Sequence, residues 1–172
     1  MIRRAIRWGV AVGAAALMMV FAQSGTQNPD IFKGTVQDRV DALANIQPGL
    51  GTVMIEYGDR ITNTYYAAKG GNWGLAQYQL KEATEIQEVG EITRPANAEL
   101  LKSVEHNYID PLNDTILAMD WPAFQEKFST MVSQGCNACH AATGHPYIEY
   151  QLPSQPAESY LDFGLATKST QP

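Results

Sequence analysis

Cys136 and Cys139 are the only two cysteines in this 172-residue chain, and His140 follows the second directly, in the run Cys136-Asn137-Ala138-Cys139-His140. C-x-x-C-H is the spacing at which a c-type haem is attached. Two thiols three residues apart on a helical turn can form thioethers to both vinyl groups of one porphyrin, and the next residue projects an imidazole at the iron. One short stretch thus supplies two covalent bonds and the proximal ligand.

Three other chemistries use the same residues. A thioredoxin-like redox pair follows a strand and opens a helix in a βαβ pattern, whereas the residues before Cys136 read as helix. A structural zinc site wants four ligands; His106 and His145 are the remaining histidines, and they complete a Cys2His2 set only at unusual spacing. A Cys136–Cys139 disulfide closes too small a loop to stabilise much.

The N-terminus reads as an export signal. Arg3, Arg4 and Arg7 precede an apolar run from Trp8 to Ala22, and Val20-Phe21-Ala22 offers small residues at a cleavage site. The run is short for a membrane span, which takes about 20 residues. A periplasmic product is expected; the alternative is an uncleaved anchor holding the domain to the outer face of the inner membrane. The full chain carries net charge −6; loss of three arginines leaves nine basic against 18 acidic residues, net −9. Such a balance disfavours nucleic acid and anionic lipid, and steers the chain toward a basic partner.

Residues 23–47 read as a linker with a short helix, on Val36, Val40, Leu43 and Ala44. Residues 48–150 suit one all-α domain, and 151–172 an extended tail laid over it through Tyr160, Leu161 and Phe163. Four helices are predicted. The first, from about Gly51 to Ala68, repeats apolar residues at Val53, Met54, Tyr57, Ile61, Tyr65 and Ala68 and stops at Gly70-Gly71. Asn72 caps the second, lined by Trp73, Ala76, Leu80 and Ala83 and stopped by Gly90 and Thr93-Arg94-Pro95. The third runs from about Asn97 to Met119; Pro111 should kink or break it, with Asp110 capping a fresh segment. Asp120 caps the fourth, which carries Phe124, Phe128, Met131, Gly135 and Cys139 on one face. Helices joined by short loops imply an antiparallel up-down bundle, with the haem motif near the end of the last helix.

Over residues 48–145 this order, with C-x-x-C-H in the last helix, resembles the class II bundle cytochromes, of which cytochrome c′ is the best known. The resemblance implies one covalent haem c held by Cys136 and Cys139, with His140 as proximal iron ligand and one haem face toward the first helix. It also implies dimers formed through helical faces. Members usually carry a basic residue a turn after the ligand histidine; here Ala141-Ala142-Thr143-Gly144-His145-Pro146 follows. Asn72-Trp73-Gly74-Leu75-Ala76 and residues 136–146 are also similar to a group of small exported bacterial bundle cytochromes.

The sixth iron position decides the mechanism. Met54, in the first turn of the first helix, falls level with the motif in an antiparallel bundle. It reads as a distal ligand, a non-ligating contact, or core filler. Tyr57, one turn on, reads as a porphyrin contact, a donor to a bound ligand, or a core tyrosine. Arg60 reads as a propionate partner or as half of an i,i+4 pair with Glu56. His106 is a second distal candidate against a surface histidine, and His145 is placed for the haem edge. Trp73 and Trp121 belong to the opposite end. No nucleophile elbow and no Glu-x-x-His pairs are present, so no enzyme is expected. The readings are a single-electron carrier, a protein that binds or senses NO or CO at an open iron, and a membrane-tethered haem subunit of a larger redox assembly.

Overall fold

The computed structural model describes residues 30–167, which are all-α; the segment expected to be an export signal lies outside them. Helix α1 is Val36–Asn45. Thr35 caps it: the Asp38 N–H donates to the Thr35 hydroxyl, and the Thr35 N–H donates back to the Asp38 carboxylate. Helix α2 is Leu50–Gly70. Gly71 ends it in the left-handed region at φ 81°, a conformation that costs glycine little. The Leu75 N–H then donates to the Asn72 carboxamide and starts α3, Trp73–Thr93.

Gly90 does not stop α3. A Cβ built there would lie 2.9 Å from a Leu50 methyl and 3.3 Å from Val53, so the glycine lets the start of α2 and the end of α3 pack close. The stop falls at Arg94-Pro95, because the residue before proline is pushed out of the helical region; Arg94 has φ −135° and ψ 65°.

Helix α4, residues 98–117, contains a wide π turn, Glu105–Ile109, between α-helical Ala98–Val104 and Asp110–Leu117. The expected break at Pro111 is absent, as is the Asp110 cap: Ile109 and Asp110 are both helical and no side chain caps the segment. A proline in a regular helix clashes with the carbonyl four residues back. Here the preceding turn is wider, with the Asp110 N–H reaching back to the Glu105 carbonyl, and the helix absorbs the ring.

Helix α5, residues 121–142, is capped by Asp120, whose carboxylate accepts from the Ala123 N–H. It too carries a π turn, Met131–Asn137, between Trp121–Thr130 and Ala138–Ala142. Helix α2 packs on α3, α3 on α4, α4 on α5, and α5 back on α2. Between them lie Ile61, Leu80, Leu112, Ile116, Phe124 and Met131, all sealed from solvent. Trp121 stacks on Phe124, ring centres 5.7 Å apart, and Trp73 meets Phe124 edge-on. These rings hold one end of the helices. The cysteines lie fifteen residues further along α5, roughly 20 Å away at 1.5 Å per residue.

After α5 the described residues form no helix but follow α2 as a strap. Pro153 accepts from the Tyr66 hydroxyl (2.7 Å), the Glu158 N–H donates to Asn63 (3.2 Å), and the Asp162 carbonyl accepts from Asn72 (2.8 Å). Leu152 and Phe163 pack on the core. Tyr160, expected to do so, is 80% exposed: hydrogen bonds to α2, rather than its ring, hold that stretch. No described helix is long and apolar enough to cross a membrane.

Candidate functional site

At the end away from the tryptophans, α2, α4 and α5 wall one cleft. Leu50, Met54, Ile61, Leu100, Leu101 and Val104 give it an apolar lining, and Tyr57, Cys136, Cys139, His140, Thr143 and Tyr150 bring polar groups to it. The cleft has an open mouth and a cavity volume of about 90 Å³.

The motif reaches this wall through the π turn that precedes it. A π turn adds a residue to the helical circuit and shifts the face presented by everything after it. Gly135, inside this turn, lies against the ring of Tyr108 from the π turn of α4; a Cβ at 135 would stand 3.1 Å from that ring. The close approach of the two turns brings Cys136 and Cys139, three residues apart, to the cleft together. Both thiols are free.

His140 is oriented by backbone. Its Nδ1 lies 2.9 Å from the Ile148 carbonyl. A carbonyl only accepts, so Nδ1 carries the proton and Nε2 keeps a lone pair for a metal. Gly144, at φ 84°, turns the chain back. The His145 N–H donates to the His140 carbonyl (2.8 Å) and the Ile148 N–H to the His145 carbonyl (2.9 Å). Asn137, inside the motif, donates to the Tyr150 carbonyl (3.2 Å) and accepts from the Tyr150 N–H (2.8 Å).

The thiols and phenols of the wall are held in their neutral forms. Burial pushes the Cys136 thiol up to about 11, and raises Cys139 as well. A dithiol nucleophile needs the opposite shift. Burial also raises the Tyr57 phenol well above its ordinary value and pushes Tyr150 up to about 12. The Thr62 hydroxyl donates to the Gly58 carbonyl (2.8 Å), which leaves the Tyr150 hydroxyl as donor in its 2.9 Å bond to Thr62. The Tyr57 hydroxyl is sealed from solvent and has no hydrogen-bond partner. An unpaired buried hydroxyl costs about 1–3 kcal/mol.

Of the residues singled out by sequence, Met54, Tyr57, Cys136, Cys139 and His140 share this cleft. Arg60 does not line it: its guanidinium binds Glu56 (2.8 Å) and Gln79 of α3 (3.2 Å). His106 is exposed and pairs with Asp110 at 3.4 Å. His145 is exposed, beside the Thr143 hydroxyl and the Tyr147 ring. Among the described residues no three His, Cys, Asp or Glu side chains cluster as a metal site. Sequence reasoning missed Tyr150, Thr143, Asn137 and the Ile148 carbonyl. The turn at Gly144 before Pro146 was the one local sign that the chain folds back. No family model matches this chain, and no curated protein or solved structure does.

Proposed function

We propose that this chain is an exported monohaem c-type cytochrome, an antiparallel four-helix bundle resembling the class II cytochromes, which carries single electrons between redox partners. The observation that carries this reading is the meeting of Cys136, Cys139 and His140 on one largely apolar cleft, with the Nδ1 of His140 bonded to the Ile148 carbonyl and its Nε2 left as donor. The closed order of contacts from α2 through α5 back to α2 supports the bundle.

The residues fit a covalent haem. The donor set is two neutral thiols for two vinyl groups and one imidazole for iron. Gly58 lines the cleft with nothing within 4 Å of a built Cβ, so the wall is open there. The Tyr57 hydroxyl lacks a partner at the same wall. Haem, when bound, supplies one-electron exchange at its iron. The chain does the rest. Cys136 and Cys139 would hold the ring through their sulfurs, and His140 would hold the iron through Nε2. The apolar lining excludes water, which disfavours the extra charge of the ferric state and raises the potential. Met54 is the candidate sixth ligand. An acidic surface guides a basic partner through weak, salt-sensitive docking.

The test is the mass of the purified chain under denaturing conditions, followed by optical spectra of both oxidation states with and without CO. Haem mass retained on the chain and a low-spin spectrum unchanged by CO support the carrier. A chain without haem mass overturns it. The Tyr57 hydroxyl favours a second reading, binding of NO or CO at an open iron, because a neutral donor inside the pocket suits a bound diatomic. A high-spin haem that takes up CO selects that reading.

A further inference from the structure

Asn137 stands at the first of the two positions between the cysteines, where neither thioether nor iron bond needs a particular side chain. Yet its carboxamide makes two hydrogen bonds to the backbone of one residue, Tyr150, thirteen positions on. Two residues before Tyr150, the Ile148 carbonyl accepts from His140 Nδ1. The Ile148 side chain is 45% exposed and gives that carbonyl little anchorage of its own. The loop 145–150 is instead tied at both ends to the motif: at one end by the His145 N–H on the His140 carbonyl, at the other by Asn137 on Tyr150.

We propose that Asn137 is a positioning residue: by clamping Tyr150 it holds the Ile148 carbonyl on His140 and so sets how strongly that imidazole donates to iron. This rests on the haem reading above. An acceptor on the far nitrogen raises the basicity of a ligating histidine. A more basic imidazole favours ferric over ferrous iron and holds the potential down. Release of the clamp therefore moves the potential up. Loss of such outer-shell partners typically changes metal affinity or activity 10–100-fold. A tenfold change in the ferric-to-ferrous ratio is 59 mV for one electron.

The experiment compares Asn137→Ala, Asn137→Asp and Tyr66→Phe with the parent holoprotein, by midpoint potential and by amide hydrogen exchange at Tyr150. Asn137→Ala is expected to speed exchange at Tyr150 and raise the potential by up to about tenfold in the ratio. Asn137→Asp keeps the acceptor for the Tyr150 N–H and loses the donor, so its shift falls between. Tyr66→Phe, away from the cleft, breaks the strap's bond to the Pro153 carbonyl but leaves the clamp, and is expected to leave the potential unchanged. Faster exchange at Tyr150 with no shift of potential in either Asn137 variant would make the clamp structural only and overturn the proposal. An equal shift in Tyr66→Phe would overturn it too. If Asn137→Ala fails to accumulate, Asn137→Asp decides alone. A parent chain that carries no haem mass refutes the haem reading instead, and is told apart by that measurement.

Discussion

Replacing Tyr57 by phenylalanine removes one hydroxyl and keeps the ring. The residue is 6% exposed, and its oxygen is sealed with no hydrogen-bond partner. In the haem-free chain, made as Cys136→Ala/Cys139→Ala, the hydroxyl therefore contributes only its desolvation penalty. Its removal should stabilise that chain by about 1–3 kcal/mol, or about 3–5 °C in Tm per kcal/mol for a domain of this size. In the haem-loaded chain the same hydroxyl is expected to donate to an atom at the iron's sixth position. Its removal there should instead cost about 0.5–1.5 kcal/mol, the net worth of an ordinary hydrogen bond. The sign of the effect thus reverses between the two forms. Paired thermal and urea denaturation read both values, and the haem-loaded value alone decides. If Tyr57→Phe stabilises the haem-loaded protein by 1 kcal/mol or more (the lower end of the about 1–3 kcal/mol penalty), the hydroxyl is unpaired there as well, and its assignment to the iron's distal side is wrong.

Three further outcomes follow from particular contacts. Gly58→Leu fills the open wall of the cleft; haem retained per chain should fall while helical circular dichroism stays, and an undiminished yield would put the porphyrin elsewhere. Gly70→Ala would set a Cβ 2.0 Å from the Phe163 carbonyl oxygen, forcing the strap off α2 at about 1–3 kcal/mol. Limited proteolysis should then open residues 158–167, while the haem spectrum, which depends on the strap near Tyr150, stays as it was. The Glu105 carboxyl is raised by burial and by the nearby Glu91, Asp110 and Glu88. A raised folded value means that stability is present below the unfolded value and lost as pH rises through the folded one. Glu105→Gln should therefore raise Tm at about pH 7 and lose that advantage below about pH 4, where the parent carboxyl is protonated in both states. Equal gains at both values would trace the effect to packing rather than charge.

The features legible from sequence were those decided within one or two helical turns. Apolar residues at three- and four-residue steps read as helix, and Asn72, Asp120 and Gly71 read as helix ends, because a cap is a bond between a side chain and backbone two or three residues away. The spacing of Cys136, Cys139 and His140 is equally local, and it is the source of the haem reading proposed above. The tertiary structure alone decided what each group meets across the fold. Arg60 is drawn to Gln79 on another helix as well as to Glu56 one turn away. Gly90 serves close packing of α2 on α3 instead of ending a helix. Pro111 is absorbed by a π turn whose widening leaves no residue-type signal. The group that orients His140 is a backbone carbonyl, which every residue carries, so nothing in the identity of Ile148 announces it. Its place depends on a loop that returns from Gly144 and is pinned by Asn137 to the turn it came from. A hydrogen bond of that kind is set by where the chain goes, and only the packed fold settles the path.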